Sequence, residues 1–145
     1  SLSMSAGAAS AASAASSPAP VLTPSSLASN KNPILFDAPV SNSGARVRFF
    51  IYLSNLESQI DIKKPADLGG LKSEEYLKLN PQGKMPLLVI PGSKIGAPTG
   101  SALSLLPIPE SQVILDYLVQ MYPKESEFLI PDILEIRTLN QLATR

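Results

Sequence analysis

Glu110 and Ser111 stand side by side where an apolar helical face begins, made of Val113, Ile114, Tyr117, Leu118 and Met121. The opening of a helix offers free N–H groups and the positive end of its dipole, and both favour an anion. A serine hydroxyl can join those amides, and a neighbouring carboxylate can answer an amino group. A plain helix cap with an acid beside it uses the same residues. Met85-Pro86 precedes a buried-strand pattern, Leu87-Leu88-Val89-Ile90. An X-Pro bond there is a candidate for cis, which costs only ~0.5–1 kcal/mol. An edge strand that starts on proline is the simpler alternative. Gln82 and Lys84 come just before, and Lys84 can meet an anion as a point charge or stay solvated. Ser41 and Ser43 supply hydroxyls in the loop after the first strand pattern, or serve as helix caps.

Two absences bear on the chemistry. The chain has no cysteine, which removes disulfides, thiolate metal sites and redox chemistry of its own thiols. It has no histidine, the usual general base and the commonest transition-metal ligand. Its chemistry must use hydroxyls, carboxylates, amines and backbone groups, or a thiol brought by a cofactor. Lysine plus arginine equals aspartate plus glutamate, so the net charge is zero. That argues against a nucleic acid or an anionic lipid surface as the main partner. No apolar run approaches the ~20 residues of a membrane-spanning helix.

The elements that must position these residues follow from pattern. Residues 1–30 are mainly serine and alanine with no charge, and Lys31 is the first charged residue. Such a segment buries too little apolar area to offset its ordering entropy, so 1–31 reads as a disordered leader. A linker, a targeting remnant and an artefact at its very start are all open readings. The rest, about 115 residues, suffices for one modest core. Pro33–Asp37 reads as a buried strand and Pro39–Gly44 as a loop. Periodicity leaves 45–53 ambiguous, but Asn42 and Ser43 as caps favour a helix. Ile60–Ile62 is a second strand, and Ser73 caps a short helix through Leu79. Leu87–Ile90 is a strand, 102–106 another, and a helix opens at Ile108–Ser111 and stops before Pro123. Asp132 caps a last helix through Leu142. Strand, helix, strand, helix, strand, strand, helix suits a small mixed α/β sheet with helices on both faces.

Two segments carry a family resemblance: Asn80-Pro81-Gln82-Gly83-Lys84-Met85-Pro86-Leu87-Leu88 and Pro109-Glu110-Ser111-Gln112-Val113-Ile114-Leu115-Asp116-Tyr117-Leu118. Together they resemble the glutathione transferase signature, Asn-Pro-x-Gly-x-x-Pro-x-Leu followed by Glu-Ser-x-x-Ile-x-x-Tyr-Leu. Pro39 to Arg48 is similar to the serine-type active-site segment of the theta and zeta classes. The resemblance covers residues 33–145. It implies a thioredoxin-like domain over 32–123, with a mixed four-stranded sheet and flanking helices. Residues 124–145 would be the linker and first helix of an all-α domain. It implies glutathione as co-substrate, an electrophilic small molecule as second substrate, and no metal. Pro86 is then cis, with the Met85 backbone pairing with the cysteinyl part of glutathione like an added strand. Ser111 and its N–H would hold the γ-glutamyl carboxylate and Glu110 the amino group. Gln82 and Lys84 face the glycyl carboxylate. Aligning Arg46 with the family's arginine makes Ser41 the catalytic hydroxyl, with Ser43 as runner-up. Arg46 itself supports the fold. A tyrosine-type mechanism is disfavoured, since no tyrosine lies in the loop after the first strand.

Two departures stand out. Pro91 to Pro107 is longer than the family's usual hairpin. The chain also ends at Arg145, just inside the helical domain, so a fragment or a shortened homologue is expected. The second function in view is therefore a non-catalytic transferase-like subunit of a larger assembly. A homodimer and docking in a complex both stay open. Family habit implies the cytoplasm, and a targeting remnant would imply a plastid or another organelle.

Overall fold

The computed structural model describes residues 21–98 and 104–126. Among these residues eight α-helices and β-strands follow in order: α1 Pro24–Ala28, β1 Ile34–Phe36, α2 Asn42–Leu53, β2 Asp61–Lys63, α3 Glu74–Leu79, β3 Leu87–Pro91, β4 Leu105–Pro109 and α4 Ser111–Met121. The strands form one sheet in the order β2-β1-β3-β4. β1 runs parallel to β2 and antiparallel to β3, and β3 runs antiparallel to β4. This is a thioredoxin-like mixed sheet with helices against both faces.

The central strands show why. Successive strand side chains point to opposite faces, and here both faces are buried. Leu35, Leu88, Ile90 and Ile108 pack with Val47, Phe50 and Ile51 of α2 and Ile114 and Leu118 of α4. Ile34, Phe36, Leu87 and Val89 pack on the other side with Leu68, Tyr76 and Leu27. A strand covered on both faces reads as a continuous apolar run, which is how β1 and β3 stand in the sequence.

Three expectations need correction. Residues 21–30 are not part of a disordered leader. Thr23 caps α1, the Leu22 N–H donates to the Asp67 carbonyl at 2.7 Å, and Leu27 is buried in the second core. Leu22 and Leu27 anchor the serine-rich segment by packing into that core. Residues 1–20, and the helix expected over 132–145, lie outside the described residues. The fourth strand is displaced, occupying Leu105–Pro109 rather than 102–106, and α4 opens at Ser111 rather than at Ile108. Pro107 and Pro109 suggest a strand boundary, yet β4 is an edge strand, where missing N–H donors are tolerated. The cap of α2 is Ser41, and Asn42 and Ser43 are its first two helical residues.

Candidate functional site

The loop after β1 is built around an ion pair. Asp37 follows β1 directly and its N–H donates to the Lys63 carbonyl. Its side chain is fully buried, and Arg48 Nε donates to Oδ2 at 2.6 Å. Arg48 Nη2 extends across the loop toward the carbonyls of Ala38, Pro39 and Ser41 at 3.4–3.5 Å. Ser41 then starts α2. Its Oγ accepts the Gly44 N–H at 2.9 Å, which satisfies one of the open amides of the first turn. Ser41 is half-buried, while Ser43 is exposed one residue into the helix.

The loop before β3 is fixed by two side chains. Asn80 is buried and bridges its own loop, with Nδ2 donating to the Lys84 carbonyl at 2.9 Å and Oδ1 accepting the Gln82 N–H at 3.2 Å. The Tyr76 hydroxyl, from α3, donates to the same Lys84 carbonyl at 2.7 Å. Burial, with the Asp37 charge second, pushes the Tyr76 phenol up to about 12, so it stays a donor. Gly83 takes a φ of 61°, where a Cβ would also meet the Leu71 carbonyl. These contacts deliver Met85 and Pro86 to the start of β3, and the bond between them is cis.

The third segment is the β4–α4 junction. Glu110 is the N-terminal boundary of α4 and has φ 73° and ψ 121°, a left-handed backbone that a non-glycine residue rarely takes. Its side chain makes no capping bond and is exposed, and Ser111 beside it is half-buried. Arg46 Nη2 donates to Gln112 Oε1 at 3.1 Å, tying the first turn of α4 to α2.

These three segments meet around one cleft of about 200 Å³, lined by Ser43, Asn80, Gln82, Lys84, Met85, Pro86, Pro109, Glu110 and Ser111. Gln82, Lys84, Met85, Pro86, Glu110 and Ser111 are thus brought together with Ser43. Ser41 is not among the lining residues and serves as the helix cap. Asn80 and Pro109 also line the cleft, and nothing in the sequence pattern assigns them a role there, although Asn80 opens the quoted motif. Its value lies in a buried amide whose partners are its own neighbours, which spacing does not reveal. Chemically the cleft offers helix-terminal amides, a lysine and a carboxylate in its lining, and the Met85-Pro86 turn. A larger hollow of about 350 Å³ beside α1 has no charged group in its lining. Among the described residues no group of His, Cys, Asp or Glu could hold a metal ion, and no helix is long and apolar enough to cross a membrane.

A thioredoxin-like sheet carrying this cleft defines a class of domain, and comparison with known families names it. Residues 35–126 match the model of the glutathione S-transferase N-terminal domain. The chain belongs to that family. Among solved structures it is similar to a glutathione transferase homolog from Lodderomyces elongisporus, determined with two GSH per subunit. The two are 27% identical, with a TM-score of 0.47, over 66% of this chain and 40% of that one. A glutathione S-transferase from the Antarctic clam Laternula elliptica is 24% identical, with a TM-score of 0.46, over 65% and 36%. Glutathione transferase Omega 2S from Trametes versicolor is 18% identical, with a TM-score of 0.47, over 66% and 38%. The matched part therefore spans only about two fifths of the length of these proteins. Comparison with curated proteins gives no match.

Proposed function

We propose that this chain binds glutathione in the cleft between the α2 start, the Met85-Pro86 turn and the α4 start. In the whole protein, the bound thiolate then attacks an electrophilic small molecule. The observation that carries the reading is the convergence of three separate segments, 43, 80–86 and 109–111, on one polar cleft. Membership of the family supports it. The Ser111 hydroxyl and N–H take the γ-glutamyl carboxylate and Glu110 takes the amino group. Met85 pairs its backbone with the cysteinyl unit, and Gln82 and Lys84 meet the glycyl carboxylate. An extended tripeptide has more length than a cleft of about 200 Å³ encloses, so part of it lies along the surface.

A thiol near pKa 8.5 is only a few per cent ionised at neutral pH. A serine-type site would raise that fraction by donating a hydroxyl proton to the sulfur at the α2 N-terminus. Ser41 keeps its proton for this, because it acts only as acceptor toward Gly44. Ser43 is the second donor candidate and lines the cleft. The reading of a transferase-like subunit without catalysis draws on the same fact, since Ser41 stands outside the lining.

Titration calorimetry of the chain with glutathione tests binding. Ser111→Ala is expected to weaken it about tenfold, the loss of one charge-assisted hydrogen bond. Turnover of an electrophile by the longer protein then separates the two serines. A drop with Ser41→Ala alone assigns catalysis to Ser41, and a drop with Ser43→Ala alone assigns it to Ser43. Tight binding without turnover in wild type supports the non-catalytic subunit, and no binding at all removes the whole reading.

A further inference from the structure

The Asp37–Arg48 pair has a use beyond holding a loop. Asp37 lies under the first turn of α2, so close that a Cβ on Gly44 would strike its carboxylate. Gly44 is the residue whose N–H Ser41 caps, and Ser43, its neighbour, lines the cleft. A buried negative charge therefore sits at the same helix terminus that a glutathione thiolate would use. Among the described residues its Oδ1 has no hydrogen-bond partner, so Arg48 on Oδ2 is the main compensation for it. Arg48 also reaches the Ser41 carbonyl. Asp37 thus stands on the loop that leads to the thiolate site, and Arg48 reaches back to that loop from α2.

We infer that Asp37 and Arg48 are positioning residues that set the acidity of the bound thiol, Asp37 opposing the thiolate and Arg48 favouring it. This rests on the proposed glutathione site. The other groups around that site come from every neighbouring element. α2 supplies Arg46, which is turned to Gln112. The turn before β3 supplies Lys84, and the β4–α4 junction supplies Glu110, both in the cleft lining. α3 supplies Tyr76, which feels the Asp37 charge yet stays neutral up to about 12. None of these is changed in the test.

Ultraviolet titration of the thiolate in the glutathione complex reads the effect, with S-methylglutathione affinity as the control for site integrity. Asp37→Asn is nearly isosteric and leaves Arg48 unopposed, so the bound thiol's pKa falls by about one pH unit. The double variant, Asp37→Asn with Arg48→Gln, removes both charges and returns the value toward wild type. Asp37→Ser serves where the asparagine variant does not fold, and moves the pKa in the same direction. A merely structural pair would change S-methylglutathione affinity without this reversal. An unchanged or raised pKa in Asp37→Asn, with S-methylglutathione still bound, overturns the inference and leaves the binding site standing. Failure of the wild type to bind either ligand overturns both.

Discussion

Glu110 holds two properties that one substitution separates. Its backbone at φ 73° costs on the order of 1–3 kcal/mol for a residue with a Cβ. Glycine takes that conformation freely but carries no carboxylate. Glu110→Gly is therefore expected to raise stability by about 1 kcal/mol while weakening glutathione binding. Thermal unfolding and calorimetry should move in opposite senses, and parallel changes would show that the strain has no functional purpose. Gly44 is the converse case. Its φ is ordinary for a helix, and what excludes a side chain is the Asp37 carboxylate, which Arg48 keeps from swinging aside. Gly44→Ala should cost about 1–3 kcal/mol, seen as a lower urea midpoint. The serine-versus-serine question also belongs to this scale. Alignment on Arg46 selects Ser41, but the direction of each hydroxyl depends on where the helix begins. Ser41 caps the helix as an acceptor and keeps its proton, while Ser43, two residues on, lines the cleft.

At the scale of elements, α1 is the clearest case of structure that local pattern hides. A five-residue helix is not stable alone, because nucleation is costly. Here it survives because Leu27 is 1% exposed against Phe36, Leu87 and Val89 and the chain is tied to Asp67. Leu27→Ala should cost about 2–5 kcal/mol in chemical denaturation. A value near zero would return the segment to the status of a leader. The same scale explains β4. Its two prolines argue against a central strand, and the strand lies at the sheet edge, where that objection lapses. β1, β3, α3 and the body of α2 were legible in advance. Their signals are a continuous apolar run, a serine cap with acids after it, and apolar spacing, all of which are local.

For the molecule as a whole, pH acts through groups on both sides of the sheet. Burial and the Asp37 charge push Tyr76 up to about 12, from an ordinary value near 10. The folded state thus favours the neutral phenol, while the unfolded chain releases its proton first. This stabilisation is complete below about pH 10 and is lost as pH rises toward about 12. Burial raises Tyr117 and Tyr122 in the same sense. On the acid side, the Asn30 hydrogen bond lowers Asp61, with desolvation opposing it and Asn32 and Lys63 adding to it. That contribution is present above the ordinary carboxylate range and is lost as pH falls through the lowered value. Urea midpoints plotted against pH should form a plateau that declines at both ends. Tyr76→Phe should flatten the alkaline decline, and a decline that keeps its wild-type shape would remove Tyr76 as its cause.

Residue order alone determined the sheet's inner strands, the two motif segments and the family they belong to. Caps, apolar periods and motif spacing are properties of neighbouring residues, and they carry that much. Tertiary structure decided which residues those segments meet. The Leu22 amide finds its acceptor at Asp67, the Arg46 guanidinium finds Gln112, and the cleft draws its lining from positions as far apart as 43 and 111. Such pairings depend on how the folded sheet brings distant loops to one end, and no local pattern encodes that.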